Sequence, residues 1–342
     1  MGHTGGPPPA PRPSDTVPVR LLVIGGTVFL GRAVAETALA RGHGVTLFHR
    51  GRHGADLFPD AEHVLGDRTQ DLAPLEGREW DAVIDTCGFE PEHVGAAARV
   101  LAGAVGHYGF VSSGSAYPGW PEAPVDEDAP VHTGDEREYG PLKAACERAV
   151  EAAMPGRALL ARAGVIVGPH ENVGRLPWWL RRLAEGGDVV APGPPAAPIQ
   201  LIDARDLAAW MLDMAERGGA GAYNAIAPPG SASWGGLLDA ALEATGGRAR
   251  LRWADPALVE RTVEDPWEEL PLWPIPSLPG LYGMSGARAA EAGLRPRPLA
   301  ATVADTWAWL ASGGELADWR SEVRARGLSG ETERTLLAAL RS

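Results

Sequence analysis

The sequence predicts an α/β fold, a doubly wound parallel sheet followed by a smaller C-terminal lobe, on three observations. Short β-rich apolar runs alternate with helix-period stretches across residues 19–163, which is the rhythm of a parallel sheet covered by helices on both faces. The first run ends in a glycine-rich turn, GGTVFLG, at residues 25–31. Beyond Gly164 the rhythm becomes irregular, with proline-rich segments at residues 192–198 and 266–279, as expected of an appended lobe.

Each element has a local reason. The run VRLLVIG (19–25) is continuously apolar, as a strand buried on both faces must be. Residues 29–41 carry Leu30, Val34, Thr37, Ala38 and Ala40 at near-helical spacing, and Gly42 stops the helix. Strands follow at 45–48, 62–65 and 81–85, then a helix at 92–102 and a strand at 107–112. A long helix at 136–153 and a sixth strand at 157–163 complete the unit. A helix at 204–217 and a strand at 222–226 are expected to return to the main sheet. The division is a flexible tail at 1–18, a dinucleotide-binding domain at 19–165 and a substrate-binding lobe at 166–342.

Composition narrows the function classes. At 342 residues, 45% hydrophobic and 22% charged, the chain is ordinary globular protein. With a net charge of −13 and scattered basic residues, it has no run to track a phosphate backbone, so no nucleic-acid partner is expected. Cys87 and Cys146 are the only cysteines, too few for a disulfide framework or a Cys-rich metal site, and they suit a reducing cytoplasm. No stretch approaches the ~20 apolar residues that span a bilayer, so no membrane partner is expected. Gly6 stands where a myristoylation motif requires Ser or Thr. The histidines show no HExxH-like pairing, and no metal is expected. Arg supplies nearly all the positive charge, and Lys143 is the only lysine.

Gly25, Gly26 and Gly31, with Thr27, Phe29 and Leu30 between them, lie where a strand passes into a helix. There a dinucleotide pyrophosphate meets backbone N–H groups and the helix dipole, the Rossmann-type arrangement. Val28 replaces the usual middle glycine, and a turn that merely needs glycine is the alternative. The second strand ends in Phe48-His49-Arg50-Gly51-Arg52, without the acid that holds the ribose 2′-hydroxyl of NAD. Arg50 and Arg52 can pair with the 2′-phosphate of NADP instead, or be solvated loop residues. NADP(H) is therefore expected over NAD(H). Asp67 is placed to accept from the adenine amino group with Arg68 flanking the ring, and Cys87 and Gly88 would lie beside the cofactor, Cys87 as a small packing residue.

Tyr139 and Lys143, in YGPLK, are four positions apart and project from one helix face. A phenol, with a reference pKa near ~10, transfers protons at neutrality only if a nearby ammonium stabilises its anion. Ser113, in VSSGSAYPG, would hold the substrate oxygen, with Ser112 and Ser115 as competitors. The sole lysine at a spot where arginine would serve any surface role strengthens the reading.

Together these residues resemble the short-chain dehydrogenase/reductase superfamily in its extended form, often labelled NAD-dependent epimerase/dehydratase. The resemblance spans residues 19–310 and includes GGTVFLG, VTLFHRG, VSSGSAYPG, PVDEDAP at 124–130, YGPLK and LIDARDLA at 201–208. The GGTVFLG loop without a middle glycine is similar to a branch containing bacterial reductases and chloroplast stem-loop-binding proteins. The resemblance implies Ser113, Tyr139 and Lys143 for catalysis, the loop glycines with Arg50 and Asp67 for the cofactor, and a homodimer through the helix carrying Tyr139. Ala163 departs from the proline common after the sixth-strand arginine.

On the substrate side, Ser115, His170, Asn172 and Arg175 can orient a polar group, while Trp120, Trp178 and Trp179 can stack on a planar one or pack in the core. Trp267 and Trp273 lie in proline-rich loops. The leading expectation is an NADPH-dependent oxidoreductase reducing a carbonyl of a small, hydrophobic or secondary-metabolite substrate, with Tyr139 as proton donor. The alternative is an NAD-dependent nucleotide-sugar epimerase or dehydratase, with Arg175 and Arg205 supplying cations for a diphosphate. A non-catalytic RNA-associated protein is a second alternative, disfavoured by the acidic balance.

Overall fold

The computed structural model describes residues 18–119, 124–134, 137–316 and 327–341. The alternation of the first half becomes β1 (Arg20–Ile24), α1 (Phe29–Ala40), β2 (Gly44–His49), β3 (Glu62–Leu65), β4 (Ala82–Asp85), α2 (Pro91–Leu101), β5 (His107–Ser113), α3 (Tyr139–Ala153) and β6 (Ala158–Ala163). There follow β7 (Val165–Val167), α4 (Arg175–Glu185), β8 (Gly187–Pro192), β9 (Pro198–Ile199), β10 (Leu201–Asp203), α5 (Ala204–Glu216) and β11 (Gly221–Ala225). Seven strands form one parallel sheet in the order β11-β6-β5-β4-β1-β2-β3. The direction of winding reverses between β1 and β4, so their carboxyl ends open the crevice in which such sheets bind ligands.

Alternation along β1 divides the core in two. Leu21 and Val23 pack under α1 and α5 with Val34, Ala38, Leu207 and Met211, while Leu22 and Ile24 pack under α2 and α3 with Val94, Phe110 and Val150. Both faces are covered, which is why these strands are continuously apolar.

The predicted return to the sheet is observed: α5 packs on α1, and β11 pairs with β6 from Gly221↔Leu159 to Ala225↔Ala163. The lobe adds β12 (Ala232–Ser233), α6 (Trp234–Ala244), β13 (Ala249–Ala254), α7 (Pro256–Thr262), α8 (Pro266–Glu269), α9 (Ala287–Glu291), α10 (Leu299–Ala311) and α11 (Gly330–Ala339). Its core joins Trp179, Leu183, Val190, Trp234, Trp273 and Val303. α9 does not stay with it: Ala289 and Leu294 join Met284 in the main core, so a further piece of the expected lobe returns to the sheet.

One boundary changes and another lies outside what the structure describes. The predicted tail lies outside the described residues except for Pro18. The helix expected from residue 136 begins at Tyr139, and Pro141 fits there because N–H groups in the first helical turn have no intrahelical acceptor. Among the described residues, no helix is long and apolar enough to cross a membrane.

Candidate active site

The glycine-rich loop closes on the end of β4. Gly25 takes φ +89 and donates its N–H to Phe48 O at 3.0 Å. A Cβ at Gly25 would stand 2.8 Å from Cys87 Sγ, and one at Gly31 would overlap Gly25 O and stand 2.8 Å from Thr86 Oγ1. Only glycine permits this approach of α1 to the sheet, and it is the approach a pyrophosphate needs to reach backbone N–H groups. Val28 is extended before α1, no side chain caps the helix, and its first turn holds no acid, so an anion meets no competing carboxylate. Thr27 and Leu30 are buried and Phe29 packs on the core; these three offer the site backbone rather than side chains.

Arg50 and Arg52 are exposed on the turn after β2. Asp67 lies within their field: the Thr69 N–H and hydroxyl donate to its Oδ1 at 3.0 and 2.8 Å and hold its carboxyl below the ordinary range, with Arg50 and Arg52 adding to the effect. The structure thus brings Arg50, Arg52 and Asp67 together. Arg68 goes elsewhere. Its guanidinium is buried and donates to Asp85 Oδ1 at 2.7 Å, with Nη2 reaching His93 O. This corrects the expectation that it flanks the adenine ring, because a fully buried aspartate takes it first. Asp85 also accepts from Tyr108 OH at 2.8 Å. Burial pushes the Cys87 thiol up, with Asp85 adding to it, which fits a packing residue. At Gly88 a Cβ would press on Val94 and Phe110.

β5 ends at Ser113, whose Oγ accepts from Ser115 N at 3.1 Å and begins a single helical turn, Gly114–Ala116. Ser112 points to the other face, donating to Glu147 at 2.5 Å; strand alternation therefore decides between the two serines. The start of α3 lies against the Ser115 turn, since a Cβ at Gly140 would overlap Ser115 O. Tyr139, the first residue of α3, is 50% exposed. Lys143, one turn on, is 4% exposed. Its Nζ donates to Gly88 O at 2.9 Å and Val111 O at 2.6 Å and lies 4.5 Å from the Phe110 ring centre. The ammonium is thus fixed between the end of β4 and the strand that ends in Ser113.

Behind these residues is a network that sequence reasoning missed. Arg162 on β6 donates to both Glu147 oxygens and to Tyr117 OH at 2.9 Å; Tyr117 OH donates to Asn224 Oδ1 at 2.8 Å, and Asn224 N to Glu127 Oε1 at 2.8 Å. It joins α3, β6 and β11 to the acidic segment at 124–130. Arg162 and Glu127 could have been singled out, but nothing local in sequence links residues about a hundred positions apart.

The lobe residues separate. Trp179 is fully buried and its Nε1 donates to Pro271 O; Trp178 packs edge-on against it at 4.6 Å, with the Gly327 backbone on its other side. Both tryptophans are therefore packing residues of the lobe, which corrects their expected stacking role. Trp273 is buried too, and Trp267 lies under the Arg175 guanidinium. Trp120 lies outside the described residues. His170, at φ +64, has its ring 5.1 Å from that of Trp309, and burial and then Arg32 on α1 lower its pKa. It faces α1 and α10. Asn172 is half-buried, and Arg175 begins α4 with a buried Nε that has no partner among the described residues. Arg205 is held by Asp203 and Asp305, each at 2.7 Å, so it is not free for a diphosphate.

A doubly wound sheet with this glycine cradle at its crevice defines an NAD(P)-dependent enzyme of the extended short-chain dehydrogenase/reductase type. The model of the NAD dependent epimerase/dehydratase family matches residues 21–225, and the chain belongs to that family. No curated protein is significantly similar to it. Among solved structures it is similar to the Bordetella bronchiseptica enzyme WbmH in complex with NAD+, with 20% identity over 87% of this chain and 99% of that one at a TM-score of 0.63. A UDP-glucose 4-epimerase is similar at 17% identity, 86% and 98% coverage and a TM-score of 0.67. UDP-glucuronic acid 4-epimerase from Bacillus cereus, in complex with NAD, is similar at 13% identity, 86% and 100% coverage and a TM-score of 0.64.

Proposed function

We propose that this enzyme carries out epimerase- or dehydratase-type chemistry on a nucleotide-linked sugar with a nicotinamide cofactor that stays in place: one carbinol carbon is oxidised, and the hydride returns to that carbon in an epimerase, or to another carbon after loss of water in a dehydratase. The observation that carries the reading is the position of Lys143, buried between the cofactor crevice and Ser113 and one helical turn from an exposed Tyr139. When bound, the nicotinamide accepts and returns a hydride. Ser113 holds the carbinol oxygen, Tyr139 takes its proton and gives it back, and the Lys143 ammonium favours the phenolate in between. Gly25, Gly26 and Gly31 with the α1 N-terminus would seat the pyrophosphate. Arg50 and Arg52 would seat a 2′-phosphate, so NADP(H) is proposed over NAD(H).

Family membership supports a sugar substrate, as do the printed names of the UDP-sugar epimerases with the same fold. So does the packing of two tryptophans in the lobe, Trp179 fully buried and Trp178 partly so, which leaves Asn172 and Arg175 as polar candidates there. A second reading, an NADPH-dependent carbonyl reductase that exchanges its cofactor each turnover, is favoured by Arg50 and Arg52. One experiment separates them: identify the nucleotide released on heat denaturation, then assay UDP-glucose and UDP-glucuronic acid for conversion with no cofactor added. Conversion with a retained cofactor supports the first reading. Stoichiometric NADPH consumption with carbonyl substrates, and none with UDP-sugars, replaces it with the second.

A further inference from the structure

β2 ends at His49, and its ring begins a hydrogen-bond chain whose direction is fixed by backbone at both ends. The Gly51 N–H donates to His49 Nδ1 at 3.1 Å, His49 Nε2 faces His63 Nδ1 at 2.9 Å, and His63 Nε2 reaches Phe58 O at 3.3 Å. An amide N–H only donates and a carbonyl only accepts, so each ring is neutral, with its proton on Nε2. A second proton on either ring would set N–H against N–H: His49 against the Gly51 amide, or His63 against His49. The rings are edge to face, 5.1 Å apart.

The chain spans the turn that carries both arginines. Gly51, at φ +68, lies between Arg50 and Arg52, and Phe58, at φ +59, holds the far end of the same connection. The other titratable groups on the elements that carry the pair are Arg50, Arg52 and His53 on the turn, Asp56 and Asp60 in the connection, Glu62 on β3 and Asp67 beyond it. Glu62 is engaged by Arg78 and Thr46, and Asp67 by Thr69. His49 is 7% exposed, and burial followed by the facing His63 lowers its pKa, in the direction of the neutral ring that the hydrogen-bond chain requires.

We propose that His49 and His63 are positioning residues for Arg50 and Arg52, holding the turn so that the two guanidiniums meet a 2′-phosphate, and that they do so only while both rings are neutral. This rests on the NADP(H) reading above. Protonation adds one imidazolium behind the strand but releases the turn that aligns two guanidiniums, and the loss of alignment dominates because bidentate pairing depends on geometry.

The test is NADPH and NADH affinity, followed by nicotinamide fluorescence, for the full chain at about pH 7.5 and about pH 5.5. The wild-type preference for NADPH should fall at least about tenfold on acidification, the scale of one charge-assisted hydrogen bond. His49→Ala should show the lowered preference at both pH values. His49→Asn keeps an acceptor for the N–H two residues on and does not titrate. It should match wild type at the higher pH and fall less at the lower, its remaining fall reporting protonation of the cofactor's own phosphate, with a pKa near ~6. A wild-type preference in His49→Ala, or a fall in His49→Asn as steep as wild type, overturns the proposal. Loss of both affinities in wild type at the higher pH would overturn the cofactor reading itself, and the proposal with it; that outcome differs from a changed ratio.

Discussion

Lys143 and Tyr139 are neighbours on one helix, yet substitution should affect them differently. Tyr139→Phe removes a half-exposed hydroxyl, so stability should stay within about 0.5 kcal/mol while turnover falls by roughly 10²–10⁴. Lys143→Arg must fit a bulkier fork between Gly88 O, Val111 O and the Phe110 ring, so both turnover and melting temperature should fall. Paired melts and rates on the two variants check this. Trp179→Ala should cost about 3–5 kcal/mol by denaturant titration and leave cofactor affinity unchanged, as a packing residue requires. The proposed pair Tyr139 and Lys143 and the loop glycines could be singled out from sequence because their spacing is local: four residues of helix, or one strand-to-helix turn. Arg68 and the tryptophans were not, because their partners, Asp85 and Pro271, are distant in sequence.

At the level of elements, the join between β1 and α1 is fixed by backbone against backbone. Gly31→Ala would force its Cβ into Gly25 O, so the loop must shift and cofactor affinity should fall at least about tenfold, the scale of one charge-assisted contact. Gly42→Ala at the far end of α1 is the control: at φ +80 with nothing within 4 Å of a Cβ, it should cost only left-handed strain, about 1–2 kcal/mol, with affinity unchanged. Nicotinamide fluorescence titrations of the two variants distinguish a packing constraint from a conformational one. The central strands β1 and β4 were readable as short apolar runs. The start of α3 was placed three residues early, because Glu136, Arg137 and Glu138 are all good helix formers while the observed helix begins at Tyr139.

Across the whole molecule, buried histidines set the acid limit of stability. Burial lowers the pKa of His107, a trend its bond to Gly219 O only partly opposes, and burial also lowers His49 and His170. A histidine with a depressed folded pKa takes up its proton more readily when unfolded. Stability should therefore decline as pH falls below the unfolded value of about 6.5. Asp203 acts lower still: burial alone would raise it, but bonds from Arg205 and Thr302 lower it. Its contribution is present above about pH 4 and is lost below. Melting temperatures from neutral to acid pH should show the first decline, and His107→Gln, which keeps a donor for Gly219 O, should flatten it. The lobe was the least legible part because its order comes from remote pairings, such as β13 on β8 and α11 beside β8, across proline-rich segments with no period to read.

The sequence spells out a single ε-amine, and the fold buries it at the proposed reaction centre. Any lysine-directed covalent tag, whether an acyl group, a ubiquitin chain or a laboratory ester, therefore has no harmless side chain on which to land. Side-chain labelling would report directly on how often the catalytic helix opens, and a bound cofactor should slow it.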